Sequence, residues 1–214
     1  MRGIICFLGL LLFVTIHSQE LSPDQALAKL KEGNNRFVAN ELSFKDYAAD
    51  IETTAGGQSP YAVIVTCSDS RVPPEILFDE SIGKLFVIRL AGNIIDSAAV
   101  GSIEYAVKYL NSSYLLMLGH THCGAVHAVV GSGNYSPAIT SIAKRIAPAF
   151  EKVKAMDIDE EKREESTIKE NVLLQARAAS DMSEIISEHR NNGTLKIGGA
   201  VYDIEDGRVH FFDQ

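Results

Sequence analysis

Between residues 61 and 118 the chain carries three short, mainly apolar runs, YAVIVT at 61–66, KLFVIRL at 84–90 and YLLML at 114–118. Runs of this length, rich in β-branched and aliphatic residues without strict polar alternation, predict strands buried on both faces. The segment SAAVGSIEYAVKYL at 97–110 changes period. It sets Val100, Ile103, Val107 and Leu110 on one side at helical spacing, with Asp96 or Ser97 as the cap. Ser22, Pro23 and Asp24 open another helix over about 23–40, with Leu27, Leu30 and Phe37 on one side. Helical patterns return at about 123–131 and 138–153. After the acidic, solvated stretch DIDEEKREES, a longer helix is predicted over about 166–190, closed by Gly193. LKIGGAVYDIEDGRVHFF then reads as a fourth strand, a turn at Asp206-Gly207 and a short hairpin partner.

Strands alternating with helices predict an α/β fold. The expected architecture is a mainly parallel central sheet of about four strands flanked by helices. A short C-terminal β-hairpin and an N-terminal helical arm complete it. In such sheets, sites form beyond the carboxyl ends of the strands. Two loops at those ends carry the chemistry: CSDSR after the first strand and GHTHCGA after the third.

The first residues, MRGIICFLGLLLFVTIHSQE, follow a different pattern. One basic residue, Arg2, precedes an apolar run from Ile4 to Ile16. That is the length of a signal-peptide core and short for a membrane span, with Ser18 near a cleavage point. The expectation is a signal peptide at 1–18 and a single catalytic domain over 19–214, exported to a periplasm or secreted. An uncleaved anchor is the competing possibility. The 214 residues suit one ordinary domain, and a net charge of −8 without a basic patch argues against a nucleic-acid partner. Of three cysteines, Cys6 lies in the leader, leaving Cys67 and Cys123. In an exported protein these form either a disulfide or a pair of thiolate ligands.

Ligand chemistry favours the second alternative. Zinc takes cysteine thiolate and neutral imidazole, with three protein ligands and one open position at catalytic sites. His120-x-x-Cys123 at a strand-to-helix turn lets both side chains converge, and Cys67 from the adjacent strand end supplies a third ligand. His122, between them, is read as a neighbour. Gly119 and Gly124 are read as small residues that allow the tight turn and close approach. Asp69 and Arg71, two apart, suit bidentate pairing of carboxylate and guanidinium beside the metal.

These segments resemble the β-class carbonic anhydrases. The resemblance rests on CSDSRVPPE at 67–75, FVIRLAGN at 86–93, GSIEYAV at 101–107, GHTHCGAV at 119–126 and IGGAVYDIEDGRVHFF at 197–212. It implies one zinc per chain held by Cys67, His120 and Cys123, with Asp69 and Arg71 as a dyad at the fourth position. It implies reversible hydration of carbon dioxide to bicarbonate and a proton by attack of zinc-bound hydroxide. Gln58, Phe86 and Tyr105 occupy the spacings of the family's pocket residues, partly across a dimer interface, and Gly124 joins them as a substrate-pocket residue. Ile64 stands where one subtype has a tryptophan belonging to a non-catalytic bicarbonate pocket, so the open-site subtype is implied. A dimer or higher even oligomer is expected, with no stable membrane anchor. His122 and His127 are near enough to be weighed as proton shuttles against an ordinary exposed or packing role. A carbonyl sulfide or carbon disulfide hydrolase on the same scaffold, or a non-catalytic zinc-binding module, are the alternatives.

Overall fold

A computed structural model describes residues 21–131 and 133–212. The expected leader at 1–18 lies outside the described residues. Five strands, β1 (Ala62–Thr66), β2 (Leu85–Arg89), β3 (Tyr114–His120), β4 (Lys196–Tyr202) and β5 (Val209–Phe211), form one sheet in the order β2-β1-β3-β4-β5. The first four are parallel and β5 runs antiparallel to β4. This is the expected parallel sheet with its hairpin. Gly207, at φ 82°, makes the hairpin turn, and Asp203 N–H donates to the Arg208 carbonyl at 2.8 Å.

All five residues of β1 and all seven of β3 are buried, which is why their sequences are apolar without alternation. Successive side chains still point to opposite faces. Ile64, Leu116 and Leu118 pack with Ala26 and Leu30 of α1 (Pro23–Ala39) and with Leu77 of α3 (Pro74–Leu77). Val63, Val65, Leu115 and Met117 pack with Val100, Ile103 and Val107 of α4 (Ser97–Leu110). Val172 of α7 (Arg163–Asp181) and Ile186 of α8 (Glu184–Asn191) complete that face. Each fully buried aliphatic side chain contributes about 1.5–3 kcal/mol of transfer free energy, and truncating Ile64 to alanine costs about 2–5 kcal/mol.

Local caps set the helix limits. Ser22 and Gln25 form a reciprocal capping box at the start of α1, and Asp96 accepts from Ala99 N–H to open α4. The single helix expected over about 166–190 is two. Ser183 is in extended conformation and its hydroxyl caps α8 by accepting from Ile186 N–H at 3.1 Å. Its own hydroxyl proton goes to Glu104 at 2.6 Å, so the break is anchored to α4. A serine that finds these partners ends a helix rather than continuing it.

Three elements carry no clear sequence signal: α2 (Tyr47–Thr54), α3 and the 3-10 turn Ala91–Asn93. No residue of α2 is buried. The segment leading into it is fastened by Asp79, whose buried carboxylate accepts from Lys45 at 2.8 Å, Ser43 Oγ at 2.7 Å and Arg36. Among the described residues no helix is long and apolar enough to cross a membrane.

Candidate metal centre

β1 ends at Thr66, which pairs with Leu118 of β3, and the Thr66 hydroxyl donates to the Leu118 carbonyl at 2.9 Å. Cys67, the next residue, therefore leaves the sheet beside the end of β3, where His120 stands. Two residues later His122 takes a left-handed conformation, φ 55°, a region that histidine enters more readily than most side chains. The chain turns back on itself there. Cys123 then starts α5 (Gly124–Val130) facing the point that His120 faces. The ligand atoms of Cys67, His120 and Cys123 lie within 4.8 Å of one another. Both cysteines are buried free thiols.

His120 is fully buried. Its Nδ1 lies 2.8 Å from the Thr121 carbonyl oxygen, which can only accept, so Nδ1 carries the proton. The other nitrogen, Nε2, presents a lone pair and has no hydrogen-bond partner among the described residues. A buried imidazole lone pair facing two sulfurs is a nitrogen and sulfur donor set of the kind zinc takes. The Cys67 thiol is drawn well below the usual thiol range by its hydrogen bond with Cys123. Burial opposes this, while His120 and the Gly92 and Asp69 backbone add to it. The Cys123 thiol is pushed up, chiefly by the same Cys67 contact and then by burial. A single thiolate is easily made here, and a second needs a cation to offset it.

Beside the cluster Arg71 grips both oxygens of Asp69, Nε to Oδ1 at 2.9 Å and Nη2 to Oδ2 at 2.7 Å. The Arg71 hydrogen bonds hold this carboxyl well below the usual carboxylate range, against burial. Oδ2 lies 3.9 Å from His120 Nε2. Arg89, at the end of β2, donates from Nε to the Cys67 carbonyl at 3.2 Å and from Nη2 to the Asp69 carbonyl.

The two histidines nearest in sequence to His120, His122 and His127, turn outward. His122 Nε2 is 3.1 Å from Glu205, and His127 Nδ1 is 2.9 Å from Glu164. Gly119 packs closely against α7, where an added Cβ would meet Val172 Cγ2 at 2.7 Å. Gly124 does not: a Cβ there meets nothing within 4 Å. Its place after Cys123 needs no small residue for packing inside the chain.

Gln58, Phe86 and Tyr105 lie elsewhere. Phe86 pairs with Val63, four residues before Cys67, which is about 13 Å along the strand at about 3.3 Å per residue. Its ring is 6.3 Å from that of Tyr105, which is 5.7 Å from Tyr109. Gln58 lines a cleft with Tyr109 and Lys84 near the amino end of β1. Within one chain these residues do not face the metal cluster. Ile64 is fully buried in the sheet core.

Sequence reasoning missed the residues that brace the cluster: Arg89, Gly92, Asn171 and Gln175. A signal for the last two was present. They sit four apart in α7 among the apolar positions Ile168, Val172 and Ala179, where an amide needs a buried partner. A second group of potential ligands, Asp203, Asp206 and His210, occurs in the β4–β5 hairpin. There Asp206 pairs with Arg208, and Asp203 accepts from Glu205 N–H and the Thr121 hydroxyl.

Comparison with known proteins agrees along the chain. A family model described as carbonic anhydrase matches residues 62–209. Carbonic anhydrase 2 of Mycobacterium tuberculosis is 39% identical over 201 residues, covering 88% of this chain and 92% of that protein. A carbonic anhydrase of Mycolicibacterium smegmatis is 36% identical, covering 88% and 92%. Among solved structures, the β-carbonic anhydrase CcaA superposes with a TM-score of 0.69 at 27% identity, covering 87% of each chain. The Coccomyxa β-carbonic anhydrase, solved with acetazolamide, gives 0.70 at 27% identity over 84% of this chain and 83% of that one. The fold, the Cys-His-Cys cluster and these likenesses converge: the chain belongs to the carbonic anhydrase family, in its β class.

Proposed function

We propose that this carbonic anhydrase binds one zinc ion through Cys67, His120 and Cys123 and hydrates carbon dioxide reversibly to bicarbonate and a proton. The convergence of one orphaned imidazole nitrogen and two buried thiols beside an ion-paired Asp69 carries this reading. Zinc held there supplies a Lewis acid that makes water a competent nucleophile near neutral pH.

The protein's own groups do the rest. The Thr121 carbonyl fixes the His120 tautomer and so keeps Nε2 available as a ligand. Asp69, ionised and clamped by Arg71, is an acceptor only. Its Oδ2 accepts a hydrogen bond from the attacking water and orients that water's lone pair toward carbon dioxide. Arg71 keeps Asp69 in this role and out of the ligand set by occupying both of its oxygens. Cys67, His120 and Cys123 would then be the three protein ligands, as in the open-site subtype that Ile64 in place of tryptophan also supports.

Gln58, Phe86, Tyr105 and Gly124 are assigned to the substrate pocket. The first three serve it across an interface with a second copy, because within one chain they lie away from the metal cluster, Phe86 and Tyr105 ring to ring beside β2 and Gln58 near the amino end of β1. Self-association as a dimer or higher even oligomer follows, and light scattering that returned a monomer with full activity would refute it. Export is proposed on the apolar run of residues 4–16, and the mature N-terminus tests it.

The decisive experiment is stopped-flow carbon dioxide hydration with metal analysis on the same sample. One zinc per chain, with turnover abolished in Cys67→Ala, supports the reading. Turnover that persists after zinc is stripped refutes it.

A further inference from the structure

The 3-10 turn Ala91–Asn93 is irregular backbone beside the cluster. Gly92 and Asn93 are both left-handed, at φ 69° and 44°. The left-handed conformation favours glycine at Gly92, and an added Cβ would lie 2.6 Å from Ile146 Cδ1, so that side chain would have to move. From this turn Gly92 N–H donates to Cys67 Sγ at 3.3 Å. No strand ladder holds the turn in place.

Two amide side chains of α7 hold it instead. Asn171 is fully buried, and its Nδ2 donates to the Gly92 carbonyl at 2.8 Å and, more weakly, to Asn93 Oδ1 at 3.5 Å. Its Oδ1 accepts from Gln175 Nε2 at 3.0 Å. Gln175 in turn accepts from Ile95 N–H at 3.1 Å and donates to the Arg145 carbonyl at 3.3 Å. One residue, Gly92, is thus held at both polar groups, by sulfur at its N–H and by Asn171 at its carbonyl.

Two buried amides on an apolar helix face cost stability unless their partners are complete, and an aliphatic pair would pack there with less risk. Both carbonyl and amide of Gly92 have narrow alternatives. If Asn171 is removed, the buried carbonyl loses its donor and the peptide is free to rotate. The N–H then moves off the sulfur. A hydrogen bond to a thiolate fixes the sulfur's position and offsets its negative charge, and outer partners of this kind typically govern metal affinity 10–100-fold.

We propose that Asn171, ordered by Gln175, is a positioning residue of the metal centre, holding Gly92 so that its N–H is aimed at Cys67. This rests on the zinc reading of the Cys67, His120 and Cys123 cluster. Asn171 touches neither metal nor substrate, and its effect passes through Gly92.

The test measures zinc affinity by competition with a chromophoric chelator on reduced, metal-free protein. Asn171→Ala and the isosteric Asn171→Asp should weaken zinc binding about 10–100-fold, and Gln175→Met should weaken it less, in the same direction. Thr167→Val is the control: Thr167 is equally buried on the same helix, but its hydroxyl bonds only to its own turn at Arg163. It should retain wild-type affinity. A second readout is the gap in thermal midpoint between zinc-loaded and metal-free protein. A purely structural loss lowers both midpoints together, whereas a loss of affinity narrows the gap. Wild-type affinity in either Asn171 variant, or an equal loss in Thr167→Val, overturns the proposal. If neither Asn171 variant folds, Gln175→Met decides it, and wild-type affinity there is a refutation. Failure of the wild-type chain to bind zinc at all would instead refute the zinc reading.

Discussion

Oδ2 of Asp69 stands 3.9 Å from Nε2 of His120, and the same oxygen is held at 2.7 Å by Arg71 Nη2. The carboxylate is therefore close to the ligand cluster yet already engaged by a cation. Replacing it by asparagine keeps the shape, removes the charge and turns one of the two acceptor oxygens into a donor. Asp69→Asn should lower kcat/KM for carbon dioxide hydration by about 10²–10³-fold, with zinc content unchanged. Wild-type turnover in this variant would remove Asp69 from the chemistry.

The two glycines flanking the His120–Cys123 turn should behave oppositely. Gly119→Ala places a Cβ 2.7 Å from Val172, and overpacking of this kind costs about 1–3 kcal/mol. Gly124→Ala enters open space at the first position of α5 and should be neutral or add about 0.4–1 kcal/mol. Urea unfolding of the two variants checks the contrast. Loss of hydration activity in a fully stable Gly124→Ala would place Gly124 on the substrate path.

Asp79 fastens the segment before α2. Burial pushes its carboxyl up, but hydrogen bonds from Lys45, Arg36 and Ser43 outweigh this and hold it below the usual carboxylate range. Its backbone is left-handed, φ 49°, a conformation asparagine accepts. Asp79→Asn should therefore cost about 2–3 kcal/mol near neutral pH through lost charge-assisted hydrogen bonds. A depressed folded pKa contributes stability in full above the unfolded value, about 4, and loses it as pH falls through the folded value. Unfolding free energies of wild type and variant should differ most near neutrality, begin to converge as pH falls below about 4 and continue to converge toward the depressed folded value. A gap that stays constant across this range counts against the ionic anchor.

Cys67 and Cys123 are free, buried and within 4.8 Å of each other at their sulfurs. With zinc removed by a chelator, oxidised glutathione should join them: two thiols lose two protons and two electrons, and the glutathione disulfide takes both as two thiols. Zinc-loaded protein should resist. Peptide mapping of the Cys67–Cys123 link follows the reaction, and equal rates in both states would show that zinc does not guard the sulfurs.

His127 is exposed and paired with Glu164 at the surface of α5. His127→Ala should leave turnover unchanged at low and high buffer concentration, and stability should move by less than about 0.5 kcal/mol. A fall confined to low buffer would make it a proton relay.

Much of this arrangement is legible in the chain because its signals are local. YAVIVT and YLLML are mainly apolar without alternation because both sheet faces are covered. Asp96 and Ser22 mark helix starts through bonds that reach three residues. CSDSR follows β1 directly and GHTHCGA spans the end of β3, so their side chains emerge at the same sheet edge. The break at Ser183 was hidden because apolar periodicity runs through it, and only the hydroxyl's partners on α4 and α8 select a cap.

The sequence by itself determined the parallel α/β sheet, the edge where the site lies and the three residues that converge there. The tertiary structure alone decided which nitrogen of His120 is free, that His122 turns left-handed and away, and that a Cβ at Gly124 would meet nothing within its own chain. It alone decided that Gly92 is pinned between Cys67 and Asn171, 79 residues further along the chain. Hydrogen bonds between distant segments leave no period or spacing in a sequence. They exist only once packing has put a buried donor and acceptor where neither has any other partner.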